Sequence, residues 1–263
     1  MILYLFSLFV LGAIIGSFLN VVVLRFGTGA SFIRGRSKCF SCGHTLSTSD
    51  LFPILSFILL GGKCRYCKSK ISSQYVLVET TTAVLFALAG YCIGVPENIY
   101  QCALFVLSLI IISFYVAIAI YDIRHQIIPD GLSYGAAFFA LIYTAVIVFS
   151  GGEGYVRFLA GFLCALPFFL LWLLSRGKWM GLGDPKLALS LGWWLGISGG
   201  IASLCLAVWS GAIFGVFVLI GERMKKGSVR FGRHEIPFGP FIILGAIAAY
   251  LFGITLATLI GAV

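Results

Sequence analysis

Residues 99–120 read IYQCALFVLSLIIISFYVAIAI, an uncharged run that is followed at once by Tyr121-Asp122. About 20 apolar residues in helical conformation cross the ~30 Å hydrocarbon layer of a bilayer. This stretch therefore predicts a membrane-spanning helix with a carboxyl group at one end. Working outward, further apolar runs occupy 2–24, 75–95, 132–150, 157–175, 186–198, 201–220 and 238–262. The run ending at Ser198 is short and is cut off at Gly199-Gly200, which predicts a tilted or re-entrant segment. Composition agrees: 60% of the 263 residues are hydrophobic and 10% are charged, against about 25% charged in soluble domains. So few charges could not cover a water-soluble globule, and the apolar excess excludes intrinsic disorder. The expected fold class is an all-α polytopic membrane protein of about eight transmembrane helices.

The net charge of +9 reads as topology. If the N-terminus is outside and the helices alternate, seventeen of the eighteen Lys and Arg fall in inside loops, and Arg157 alone lies outside. The positive-inside bias favours that arrangement. The basic residues then face an anionic inner leaflet, and no aromatic-interleaved basic face points to nucleic acid. Met1–Val23 lacks a basic n-region and a small-residue cleavage site, so it is expected to remain as the first helix. Gly12-x-x-x-Gly16, Gly192-x-x-x-Gly196 and Gly211-x-x-x-Gly215 are expected to serve ordinary helix packing. The expected division is a first helix over 1–24, a cytoplasmic module over 25–74 and a membrane core over 75–263.

The module at 25–74 contains Cys39-x-x-Cys42 and Cys64-x-x-Cys67. Four thiolates in two such turns suit a closed tetrahedral zinc site, which is structural because no coordination position stays open. A metal can also stand in for the core that so short a stretch lacks. A redox or disulfide role and four unrelated thiols are the alternatives, the former disfavoured in a reducing compartment. His44 is a further possible ligand. Cys92, Cys102, Cys164 and Cys205 lie in apolar segments and read as small apolar side chains.

The nine acids are few enough to weigh singly. Asp50, Glu97, Glu153, Glu222 and Glu235 lie in loops and are expected to face water. Glu79, inside the apolar run from Tyr75, is either functional or a carboxyl that snorkels or bonds a neighbouring helix. Asp122 ends a helix, where a negative charge opposes the macrodipole, so capping does not explain it. Asp130, after Pro129, reads as an N-cap. Asp184, in Gly181-Leu-Gly183-Asp184-Pro185-Lys186, could also cap a helix, but Gly181 and Gly183 would additionally allow close approach or positive φ. Asp122 and Asp184 at neighbouring helix ends would share one proton, as an aspartic-protease dyad does. A proton or ion relay and ordinary caps remain open on these grounds. A zinc protease is disfavoured, because His44, His125 and His234 are scattered and His-Glu-x-x-His is absent.

Six ordered stretches resemble the bacterial type IV prepilin peptidases, the bifunctional leader peptidase and N-methyltransferase enzymes of the GxGD aspartic protease group. They are Gly16-Ser-Phe-Leu-Asn-Val-Val22, the paired CxxC turns, Ile71-Ser-Ser-Gln-Tyr-Val-Leu-Val-Glu79, Asp122-Ile-Arg-His-Gln-Ile-Ile-Pro-Asp130, Gly181-Leu-Gly-Asp-Pro-Lys-Leu187 and Ile236-Pro-Phe-Gly-Pro-Phe241. Leu182 stands where the family often has methionine, and Pro185 follows the aspartate; neither change removes a carboxyl. The resemblance implies that Asp122 and Asp184 are catalytic, with Asp130, Gly181, Gly183, Lys186 and Glu79 as further candidates. It implies cleavage of the short basic leader of prepilin-like partners after glycine, at the cytoplasmic face of the inner membrane. Methylation of the new N-terminus with S-adenosylmethionine is implied too, at residues the sequence does not reveal. A membrane transporter using Asp122, Glu79 and Asp184 as a relay is the alternative reading.

Overall fold

A computed structural model describes residues 1–29, 31–152, 154–226 and 237–261, without the side chains of 222–226. Among these residues the chain is helical, and two isolated β-bridges are its only extended pairings. Among the described residues, six helices are long and apolar enough to cross a membrane. The chain divides into two compact units, Met1–Val95 and Pro96–Val263.

The first unit contains α1 (Ile2–Arg25), the short α2 (Leu55–Leu59) and α3 (Gln74–Ile93). Helices in lipid gain nothing from burying apolar surface, so close backbone contact has to hold them together. Gly12 and Gly16 supply it: a Cβ at Gly12 would lie 2.7 Å from Ala83 Cα, and one at Gly16 would lie 2.8 Å from Glu79 Cα. Beside this seam the buried Asn20 amide donates to Tyr75 O at 3.2 Å, and Gln74 donates back to Asn20 Oδ1 at 3.4 Å.

The second unit is built from α4 (Ile99–His125), α5 (Asp130–Phe149), α6 (Leu159–Ser175), α7 (Gly183–Lys226), α8 (Gly239–Phe252) and the one-turn α9 (Leu256–Leu259). Asn98 caps α4 by accepting from Gln101 N–H, and Gln126 ends it in the left-handed region. Two boundaries differ from the sequence expectation. The break expected at Gly199-Gly200 falls at Gly196, whose φ of 74° and ψ of −177° interrupt α7. The apolar run over 238–262 stops being one helix at Gly253, a left-handed C-cap (φ 61°), which leaves α8 14 residues long.

At Gly196 the chain reverses. A Cβ on Gly200 would lie 3.4 Å from Gly192 Cα, whereas eight residues of continuous helix separate two Cα atoms by ~12 Å. α7 is therefore a helical hairpin with a first arm before Gly196 and a second arm after it. With its arms counted separately and α8 added, eight apolar helical segments stand among the described residues, as expected from the sequence. The turn frees carbonyl groups that lipid cannot hydrate. Thr144 donates its hydroxyl to Trp193 O. Arg157 donates Nη2–H to Trp194 O at 3.1 Å. Gly192 lets the first arm sit against α6, where its Cβ would meet Ala160 O at 2.5 Å, and Gly245 of α8 lies as close to Ser203 O on the second arm. Gly215, by contrast, faces open space and packs on nothing.

The Gly196 conformation is open almost solely to glycine, and a Cβ there would also lie 2.9 Å from Arg157 Nη1. Gly196→Ala is expected to destabilise the protein by roughly 1–3 kcal/mol. Gly215→Ala should be neutral, or stabilising by about 0.5–1 kcal/mol. Thermal unfolding of the two variants in detergent checks the contrast; equal stability would place the turn elsewhere.

Candidate functional site: an aspartate pair and a four-cysteine cluster

Asp122 lies one turn before the end of α4 and is only 4% exposed. Its carboxylate accepts a hydrogen bond from the backbone N–H of Gly239, so the start of α8 fixes the rotamer. Gly239 has no room for a side chain, since a Cβ would stand 2.6 Å from Asp122 Oδ2. Asp184 is in the first turn of α7, half-buried, and within electrostatic reach of Asp122. The structure thus sets two carboxyl groups that are 62 residues apart in sequence within electrostatic reach, one near the end of a helix and one at the start of another.

Three polar contacts brace the helices carrying them. Ser108, Tyr115 and Asp122 recur every seven residues, which keeps them near one face of α4. The Tyr115 and Ser190 hydroxyls bond at 2.9 Å, and Trp194 Nε1–H donates to Ser108 Oγ at 3.2 Å, both between α4 and the first arm of α7. Thr144 ties α5 to the same arm. Ile128 is wedged between the two glycines at the site: a Cβ on Gly183 would meet Ile128 Cβ at 2.6 Å, and one on Gly239 would meet Ile128 Cδ1 at 3.2 Å. Sequence reasoning missed Ile128, Gly239 and the bracing polar ladder. Ile128 and Gly239 stood inside the quoted motifs without a role of their own, and the heptad spacing of Ser108, Tyr115 and Asp122 in an otherwise apolar run could have signalled the ladder.

Other expected site residues sit differently. Asp130 is the first residue of α5, with Pro129 at the N-cap, and makes no cap hydrogen bond. Its carboxylate instead accepts from Lys186 Nζ at 2.6 Å, and that ammonium lies 5.2 Å from the Tyr134 ring centroid. The ion pair competes for the oxygen that a cap would use. Gly183 works by close approach and has no positive φ, whereas a Cβ on Gly181 would meet only Gly183 N, at an ordinary 3.9 Å. Glu79 is buried and accepts from Ile54 N–H at 2.7 Å and from the Ser17 hydroxyl. Glu153, His234 and Glu235 lie outside the described residues, as does the side chain of Glu222.

Within the first unit, the sulfurs of Cys39, Cys42, Cys64 and Cys67 all lie within 4.8 Å of one another, and Cys39 and Cys67 are 3.8 Å apart. Four ligands at ~2.3 Å around a tetrahedral zinc would be separated by roughly 3.8 Å. The two turns repeat one geometry. Cys39 N–H donates to His44 O and Cys64 N–H to Ser69 O. Bridges Lys38–Thr45 and Lys63–Lys70 flank them. Gly43 and Lys68, each just after the second cysteine, take φ of 71° and 60°. Backbone N–H groups of Cys42 and Ser41 point at the Cys39 sulfur and lower its pKa to about 6. The His44 N–H draws Cys42 down, but desolvation and its sulfur neighbours push it up to about 11. Four crowded thiols cannot all ionise unaided, and a dication would remove that conflict. Asp50 loses solvation here, yet the Ser47 hydroxyl, the Arg65 guanidinium at 2.6 Å and Tyr66 hold it down to about 2.

Comparison with known proteins follows the same division. The bacterial peptidase A24 N-terminal domain matches residues 10–93, and the type IV leader peptidase family matches residues 109–216. The chain is 32% identical to a prepilin leader peptidase/N-methyltransferase of Bacillus subtilis, over 94% of this chain and 93% of the relative. It is 31% identical to a type 4 prepilin-like proteins leader peptide-processing enzyme of Escherichia coli, over 90% of each. The prepilin leader peptidase/N-methyltransferase of Pseudomonas aeruginosa is 28% identical, over 92% of this chain and 88% of the relative. No solved structure matches the chain. On its sequence, its helices and the elements that carry its motifs, the chain belongs to the type IV leader peptidase family, the prepilin leader peptidases/N-methyltransferases.

Proposed function

We propose that the protein is a membrane-embedded aspartic endopeptidase. It removes the short basic leader of type IV prepilin-like proteins after glycine and methylates the new N-terminal residue with S-adenosylmethionine. The observation that carries this reading is the placement of Asp122 and Asp184 at the ends of two apolar helices, within electrostatic reach and with Ile128 packed on both Gly183 and Gly239 beside them, in a chain of this family. The charge of the basic loops supports an N-terminus outside and an aspartate pair at the cytoplasmic face of the bacterial inner membrane. A prepilin's apolar helix then lies in the bilayer and presents its leader junction at that rim.

In this reading the two carboxyl groups meet in a poorly solvated site and hold one proton between them. The ionised member takes a proton from water, whose oxygen attacks the scissile carbonyl, while the neutral member donates its proton to the carbonyl oxygen. Collapse of the tetrahedral intermediate breaks the C–N bond and hands a proton to the leaving amine. Gly239 N–H keeps Asp122 aimed, and Ile128, pressed between Gly183 and Gly239, fixes the spacing of the helix ends. Lys186 is engaged by Asp130 and serves as a strut between α5 and α7. The ion-relay alternative gains nothing from the comparisons, and the Glu79 carboxylate is already bonded to Ile54 and Ser17.

Cys39, Cys42, Cys64 and Cys67 would hold a structural zinc, which would cross-link the two turns and serve no catalytic step. S-Adenosylmethionine supplies the methyl group for the second activity. The chain has no G-x-G-x-x-G turn of the dinucleotide type, and no residue is assigned to the donor.

Asp122→Asn and Asp184→Asn are each expected to lower cleavage of a purified prepilin at least ~100-fold. Asp130→Asn, which loses an exposed ion pair, should stay within a few-fold. Mass spectrometry of the product N-terminus, with and without S-adenosylmethionine, reads cut site and methyl group together. Full activity in either of the first two variants would remove that residue from the mechanism. Gly239→Ala should lower kcat about tenfold or more by displacing the Asp122 carboxylate. Elemental analysis of reduced, purified protein should give one zinc per chain, and well under one would refute the metal site.

A further inference from the structure

We infer that residues 51–60, between the two cysteine turns, form an interfacial segment inserted into the lipid headgroup and acyl boundary. The stretch reads Leu51-Phe-Pro-Ile-Leu-Ser-Phe-Ile-Leu-Leu60. Phe52, Leu55, Ile58 and Leu59 are exposed, Leu59 by 83%. A run of this kind facing water would be a substantial liability in a soluble module. Its height relative to the membrane helices identifies what covers it.

Two rulers fix that height. α3 has 20 residues, about 30 Å, so it needs its whole length to cross the hydrocarbon. Glu79 lies five positions into it, about 7.5 Å beyond Gln74. Independently, Glu79 packs on Gly16 of α1, nine positions or about 13 Å from the end of that helix at Arg25. The Glu79 carboxylate accepts the Ile54 N–H at 2.7 Å. A glutamate side chain spans roughly 5 Å from Cα to carboxylate oxygen. Even fully extended outward, it therefore holds Ile54 no higher than about the level of Gln74. The apolar residues around Ile54 thus start at the hydrocarbon boundary, and lipid is the medium that meets them. Interfacial helices bury their apolar face ~5–10 Å at this depth. The exposed Lys63, Lys68 and Lys70 that follow carry the charge expected beside anionic headgroups.

Glu79 also holds the shape of the segment. Ile54 has φ 63° and ψ −54°, and Leu55 N–H donates to Pro53 O at 2.6 Å, a γ-turn of the rare positive-φ kind. The turn aims the Ile54 N–H at the carboxylate and sends α2 off along the boundary. An intramembrane carboxyl thereby clamps the cysteine module down onto the bilayer.

The test uses the whole zinc-loaded protein in phosphatidylethanolamine/phosphatidylglycerol vesicles containing a lipid with a photoreactive diazirine on its acyl chain. After illumination, peptide mass spectrometry compares residues 51–60 with the membrane helix 159–175 and with residues 44–49. Residues 51–60 should label within a few-fold of 159–175 and about tenfold above 44–49. Labelling no higher than that of 44–49 would overturn the inference. So would labelling abolished by excess prepilin, which would give the face to the substrate. Glu79→Ala should lower labelling of 51–60 several-fold while zinc content and labelling of 159–175 stay unchanged. Unchanged labelling of 51–60 in that variant would refute the clamp.

Discussion

Two carboxyl groups within electrostatic reach of each other, Asp122 buried and Asp184 half-buried, make up the constraint to which the second unit is fitted. Asp122 and Asp184 come from different helices, and left alone they would repel. What keeps them together is a ladder of hydrogen bonds further along the same helices: Tyr115 with Ser190, and Trp194 with Ser108. In a bilayer such bonds are a main means of holding helices in register, because apolar burial gives no net gain there. At the rim, two glycines and one isoleucine finish the job sterically, and Gly239 allows its N–H to reach the Asp122 carboxylate.

The hairpin at Gly196 is the other end of the same construction. Reversing a helix strips hydrogen bonds from backbone groups, and lipid offers no replacement. The hydroxyl of Thr144 and the guanidinium of Arg157 take two of the freed carbonyls, those of Trp193 and Trp194. Arg157 stands apart in the charge pattern, the lone basic residue placed outside by the topology argument. Its position has a physical reason: it closes a break in the backbone. Since the first arm of α7 begins at Asp184 and ends at this break, the packing of the turn bears on the placement of the acid.

Much of this was legible before any coordinates. The apolar runs and the four-cysteine pattern are features whose chemistry is independent of context, and both stand where expected. The misread features depend on context. Gly199-Gly200 looks a better breaker than Gly196, yet the break falls where an arginine and a threonine can serve the freed carbonyls. Asp130 follows proline as an N-cap should, but an ammonium group from α7 draws its carboxylate away. Residues 51–60 lie in a stretch that is polar on average, and their position was set by Glu79, a partner 25 residues away. Ile128 and Gly239 lie inside quoted motifs, but their contacts could not be read there, because their role is to touch things that only the fold brings near.

Counting the protons on the aspartates tests the central claim most directly. Only four aspartates occur in the chain, so isotopic labelling of aspartate alone separates their carboxyl bands from those of glutamate in an infrared spectrum. At neutral pH the wild-type protein should show one protonated aspartic acid, and each Asp→Asn change at 122 or 184 should abolish or shift that band. A spectrum with all four aspartates ionised, unaltered in form by either substitution apart from the lost group, would contradict the shared proton and the account built on it.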